Sequence, residues 1–180
     1  MRCFQGRLFT VDGMIEDEAP LKKEIYEQIR YYATTSVARR IEHIMQAIKL
    51  ACASEPPEIQ MDRIHVRNGT YFADGHFTPE KEYCMNRLPI AYVSDAPAPT
   101  RWLQFLNELL YEEDIPALQE YIGYCLVPST KGQRMMILKG EGGEGKSQIG
   151  PVLARLFGRN MKDGSIAKIS DNRFARADLE

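Results

Sequence analysis

Apolar residues change their spacing along the chain, and each change marks a predicted element. Residues 4–11 and Met14-Ile15 flank Asp12-Gly13, a turn pair that tolerates positive φ, so the N-terminus predicts an antiparallel hairpin. Glu16, Asp17 and Glu18 precede Pro20, which suits a first helical turn: carboxylates meet the positive dipole end, and proline's missing N–H is no loss there. Leu21, Ile25 and Ile29 then give that helix one apolar face. Ser36 is placed to cap a second helix, in which Val37, Ile41, Ile44, Met45, Ile48 and Cys52 keep the helical period until Pro56-Pro57 stop it. Arg39, Arg40 and Lys49 lie off that stripe, as a solvated face or, alternatively, as contacts to nucleic acid.

Over 62–77 the period falls to two. Ile64 and Val66 alternate with polar residues, Asn68-Gly69 turns the chain, 71–73 follow, and Asp74-Gly75 turns it again, which predicts a small antiparallel meander. Residues 82–93 predict a further strand pair, interrupted at Pro89. The alanine- and proline-rich stretch 95–99 reads as a linker. Thr100 is placed to cap a helix carrying Trp102, Leu103, Phe105, Leu106, Leu109 and Leu110, a stripe suited to a core or domain interface. Pro116 restarts a second helix with Leu118, Tyr121, Ile122 and Cys125, and Pro128 ends it.

Composition narrows the class. With 44% hydrophobic and 27% charged residues the chain is an ordinary globular one, and its 180 residues suffice for a core without staples. No apolar run reaches the ~18 residues of a membrane span, and residues 1–20 lack the apolar core of an export signal, so a cytoplasmic, non-membrane protein is expected. Cys3, Cys52, Cys84 and Cys125 form no CxxC pair, and His43, His65 and His76 form no metal-spaced set with them; reduced structural thiols are expected. The net charge of −2 does not mark a nucleic-acid binder, although residues 134–180 carry a surplus of three positive charges.

One stretch carries chemistry. Gly140-Glu141-Gly142-Gly143-Glu144-Gly145-Lys146-Ser147 fits G-x-x-x-x-G-K-[ST], the phosphate-binding loop. Glycines permit positive φ, so that successive amides can turn inward around phosphate oxygens. Lys146 supplies a point charge near the β- and γ-phosphates of ATP, and the Ser147 hydroxyl can ligate Mg²⁺. The setting agrees: 134–139 is a short apolar run fit for a buried parallel strand, and Ile149, Val152, Leu153, Leu156 and Phe157 give the following helix an apolar face that Gly158 can close. Pro151 cannot donate to the Ser147 carbonyl, which should loosen the first helical turn. Glu141 and Glu144 are expected to point outward, since carboxylates facing a polyphosphate repel it.

The chain resembles the phage and plasmid primase–helicases, whose motor is a superfamily III helicase of the AAA+ group. Asn68-Gly69, Arg87-Leu88-Pro89-Ile90-Ala91-Tyr92 and Trp102-Leu103-Gln104-Phe105-Leu106 look like that family's pre-motor domain. Glu120-Tyr121-Ile122-Gly123-Tyr124-Cys125-Leu126 is similar to the helix before its first motor strand. Residues 140–147 match its Walker A loop, and Asn172-Arg173-Phe174 with Leu179-Glu180 resemble the segment ahead of its Walker B strand. Of these stretches the loop alone is specific by its spacing. The resemblance implies an α/β protein: an α+β pre-motor domain over 1–94, a linker and helical lead-in over 95–130, and the start of a P-loop parallel sheet over 131–180. It also implies ATP and Mg²⁺ as cofactors, Lys146 as the catalytic charge, DNA as the partner, a homo-oligomeric (hexameric) ring, and a primase domain or protein alongside.

In that family Walker B carboxylates, a sensor residue and an arginine finger follow, and Asp171, Asp178 and Glu180 lack the apolar strand that would mark them as Walker B. The chain therefore reads as an N-terminal piece of the motor, expected to bind nucleotide weakly without turnover and to be marginally stable over 131–180. Two other readings stay open: a small-molecule kinase, for which no lid is recognisable, and a non-catalytic module in which 1–130 docks DNA or a partner protein.

Overall fold

Among the described residues, two short sheets and five α-helices carry the chain. The computed structural model describes residues 1–164, and the chain divides into two units, Met1–Arg87 and Leu88–Glu180. In the first unit β1 (Arg2–Phe4), β2 (Arg7–Thr10) and β3 (Gly13–Met14) form an antiparallel sheet in that order, with Cys3 opposite Leu8 and Phe9 opposite Met14. A hairpin forms where it was expected, but its first strand starts at Arg7 and not at residue 4, Gly13 pairs with Thr10 inside the ladder, and β1 adds a second hairpin. Its turn residues Gln5 and Gly6 are both left-handed (φ 49° and 75°), the two-residue turn whose twist matches right-twisted strands.

Helices α1 (Ala19–Ile29) and α2 (Val37–Ala51) cover one face of this sheet. Cys3, Leu8, Ile25 and Met45 are the buried centre, with Leu21, Ile29, Ile41, Ile44, Ile48 and Cys52 packed around them. Of these, Leu21, Ile25, Ile29, Ile41, Ile44, Met45, Ile48 and Cys52 are positions that the helical periodicity singles out, whereas Cys3 and Leu8 come from the strands. Ser36 occupies the cap position of α2 but adopts a left-handed conformation (φ 53°) and makes no capping bond, which corrects the role expected of its hydroxyl. The free edge of β1 is closed by the chain leaving α2: Cys3 donates to the Cys52 carbonyl (2.7 Å), and Ser54 donates to that of Cys3 (3.0 Å).

The meander also forms, as β4 (Arg63–Val66), β5 (Gly69–Phe72) and β6 (Phe77–Thr78), with His65 opposite Thr70 and Tyr71 opposite Phe77. Gly69 differs from its expected role as a turn residue. It pairs with Val66 inside the ladder, and its backbone φ is not positive. A Cβ there would run into the Thr78 carbonyl and the Phe77 ring, so glycine is needed for the close approach of β6.

The strand pair expected over 82–93 is not formed among the described residues. Arg87 is buried there and its guanidinium takes the carbonyls at the end of the β4–β5 hairpin: Nη1 donates to Val66 (2.6 Å) and Gly69 (3.2 Å), and Nη2 to Glu82 (2.7 Å). A fork of fixed N–H donors satisfies in one side chain what a ladder strand would supply from its backbone.

In the second unit α3 (Thr100–Leu109), α4 (Asp114–Leu126) and α5 (Ile149–Phe157) meet at buried Leu106, Leu118 and Ile149. Thr100 is the first helical residue of α3 and Pro99 takes the cap position, so the expected threonine cap is absent. The described residues are thus α+β: helices with two small antiparallel sheets, and no parallel sheet among them. Residues 134–139 form no strand. Met136 packs on the helical core while Met135 and Ile137 are 79% and 75% exposed. A buried parallel strand needs neighbours on both edges, and the described residues place none beside it.

Candidate functional site

The candidate loop hangs between two anchors on one core. Met136 upstream and Ile149 downstream both pack with Leu106 and Leu118, so residues 140–148 are held as an arch at the start of α5. Within the arch Gly142, Gly143 and Gly145 take φ values of 105°, 77° and 95°, a region that side-chain-bearing residues rarely enter. Gly145 lies over α3, where a Cβ would meet the Phe105 ring edge at 3.6 Å. Gly140 faces inward, where any Cβ would collide with the Glu144 carboxylate and the Lys146 ammonium.

Lys146, Ser147 and Gln148 form a 3₁₀ turn, with Gln148 donating to the Gly145 carbonyl at 2.9 Å, and regular α-helix begins at Ile149. The first turn is therefore a tight 3₁₀ turn and not the loosened one expected from the missing N–H of Pro151. Gly158 closes α5 with φ 55°, where a Cβ would also press to 2.9 Å from Pro89.

One residue of the loop departs from expectation. Glu144 points inward: its carboxylate is ion-paired with Lys146 Nζ and also accepts the Glu141 backbone N–H at 3.3 Å. The hydrogen bond from Lys146, then that from Glu141, holds the Glu144 carboxyl below its usual range. Repulsion acts on a carboxylate that faces a polyphosphate; beside the Lys146 ammonium, attraction sets the direction of Glu144 instead. Ser147 is exposed, beside the pair in sequence and open to solvent.

Beside the pair lies a cleft of about 290 Å³, near the lower end of the range of ligand pockets. Leu109, Leu118, Ile137 and Lys139 line it together with Glu144 and Lys146. Met136, Ile149 and Phe105, which position the loop, belong to the site as supports. Their sequence signal was only the apolar periodicity of the flanking elements.

The other candidates divide. Lys49 is engaged in an ion pair with Glu18 at 2.7 Å, whereas Arg39 and Arg40 are exposed on α2. Asp171, Asp178, Glu180 and Asn172-Arg173-Phe174 lie outside the described residues. Among the described residues no helix is long and apolar enough to cross a membrane.

A family model described as "D5 N terminal like" matches residues 8–110, from β2 through the end of α3. No curated protein matches the chain.

Proposed function

The chain belongs to the D5 N-terminal-like family, the N-terminal domain of phage and plasmid primase–helicase proteins, and from that premise we propose that residues 140–147 are the phosphate-binding loop of a replication helicase motor. One observation carries the reading: a backbone N–H and the Lys146 ammonium already converge on a single anionic group, the Glu144 carboxylate, in an arch of left-handed glycines ahead of a helix. An ammonium and a loop amide are two of the donors that a phosphate would also draw. Lys146 would neutralise the β- and γ-phosphates of ATP, Ser147 would hold Mg²⁺, and the positive end of α5 would add to the field. Bound ATP supplies the phosphoryl group; the chain's own part is to orient and neutralise it. DNA, a ring of subunits and a primase partner would come with such a motor and are proposed on the family resemblance, not on this site.

Titration with ATP, with and without Mg²⁺, tests the reading. The wild-type chain is expected to bind ATP more tightly than AMP, and Lys146→Ala to weaken ATP at least about tenfold, the worth of a lost charge-assisted contact. Equal ATP affinity in both proteins removes the reading.

A second reading has its own support. The family match ends at residue 110, ahead of α4 and the loop, so it falls on a part of the chain without the phosphate motif. That favours residues 8–110 as a docking module for DNA or a partner protein, with Arg39 and Arg40 exposed on α2. Binding to single-stranded DNA that falls steeply with salt, and is weakened by replacing both arginines, supports DNA as its partner.

A further inference from the structure

The Lys146–Glu144 pair has a meaning beyond local charge balance. Four observations meet at it. The carboxylate engages the ammonium and one loop amide together, so it stands where an anionic ligand would draw both donors. Gly140 leaves the space into which the two side chains fold, and any Cβ there would push them apart. The Glu144 side chain is 45% exposed and the Lys146 side chain 21%, so the carboxylate can leave toward solvent without unpacking anything. The pair also cancels the one positive side-chain charge of the loop 140–147, and with it much of the local attraction for an incoming polyanion.

From this geometry we infer that Glu144 is a built-in competitor for the phosphate cradle, which a nucleoside triphosphate must displace before the loop can bind it. The inference rests on the phosphate-loop reading and adds a gate to it. Displacement turns the carboxylate outward and frees Lys146 and the Glu141 N–H for phosphate oxygens. The gate selects for charge: a triphosphate, with the most negative oxygens to offer, competes better than a monophosphate. The contact is solvent-facing, so its breaking is a tuning effect of a few-fold and not a block.

The test uses the full chain and isothermal titration with ATP and with inorganic pyrophosphate, in EDTA and again in excess Mg²⁺. Glu144→Gln keeps the shape and removes the charge. It is expected to bind both ligands about three- to fivefold more tightly than wild type in EDTA, the scale of a solvent-exposed ion pair. Glu112→Gln, an exposed charge lost outside the cleft, is expected to change affinity less than about twofold, which separates the contact from net charge. Glu144→Ala gives the same reading if the glutamine variant folds poorly by circular dichroism. If Lys146→Ala loses binding while Glu144→Gln equals wild type, the gate is wrong and the loop reading stands. Weaker binding by Glu144→Gln in Mg²⁺ also overturns the gate, since the carboxylate would then assist the ligand. If no variant binds either ligand, the loop reading falls and the gate falls with it.

Discussion

Residues 63–66 and 135–138 both lie in stretches whose sequence predicts a strand, the first alternating apolar with polar positions and the second wholly apolar, and only the first is a strand. The difference lies in how far away the partner is. Val66 meets Gly69 across a turn of two residues, so the β4–β5 ladder closes with a small loss of chain entropy and hides His65 and Thr70. Residues 135–138 have no such neighbour among the described residues; α3, α4 and α5 take Met136 alone and leave Met135 and Ile137 to solvent. A hairpin carries its partner within its own sequence, whereas a parallel strand borrows one from a distance. The two runs therefore differ in folding independence rather than in strand propensity.

Hydrogen exchange is the most forceful way to break that contrast. Amides of 64–66, 70–72 and the centre of α2 are expected to exchange at least about a thousandfold more slowly than those of 135–138, the span between globally protected and locally open segments. Equal protection in the two runs would mean that 135–138 has found a ladder partner, and the contrast would disappear. Because Met136 and Ile149 share a core, ATP binding at 140–147 is also expected to slow exchange in 135–138 if the loop reading holds.

Arg87 sharpens the same contrast from the stable side. It ties the hairpin end to residue 82 through three carbonyls, in a buried site. Arg87→Ala leaves those carbonyls without their charged donor and is expected to destabilise the Met1–Arg87 unit by about 3 kcal/mol, from the cost of orphaned buried acceptors. Arg87→Lys should recover less than half of this, since one ammonium cannot reproduce a planar fork. Thermal melting followed by far-UV circular dichroism reads both. A loss below about 1 kcal/mol would show that the carbonyls find water instead.

How much could be read in advance follows the same division. Leu21, Ile25, Ile41, Met45 and Ile48 lie at helical spacing and do make the core, because helix periodicity and burial are local facts. The hairpin over β2–β3 and the meander were legible for the same reason: their turns sit between their strands. Arg87 was not legible as a core residue, since nothing in its own neighbourhood announces three converging carbonyls from residues 66, 69 and 82. Gly69 looked like a turn glycine, and only the approach of β6 shows what it is for. In the loop the residue types were legible and the direction of Glu144 was not. Repulsion from a bound phosphate and attraction to the neighbouring lysine predict opposite orientations, and residue order alone does not choose between them.

The finest test separates the meander's interior from its ion pairs by pH. His65 is 4% exposed, and its Nδ1 has no hydrogen-bond partner among the described residues. Burial first, and then the Arg87 charge, push its pKa below the ordinary value of 6.5. Between 6.5 and that lowered value the unfolded chain binds a proton that the folded chain refuses. Stability is therefore full above pH 6.5 and falls as pH drops below it, by at most about 1.4 kcal/mol per pH unit for one proton. The lowered carboxylates act elsewhere on the scale: Asp12, held down by Lys81, and Asp62, held down by Arg63, lose their contribution only as pH falls below 3.8. The interval from 6.5 to 5 thus isolates the histidine. Denaturant melts of wild type and His65→Leu across it should diverge, the wild type losing stability while the variant holds level relative to it. Parallel curves would mean that His65 keeps its proton in the folded chain, with its ring reaching water or a carbonyl, and that the interior of this meander is open to solvent.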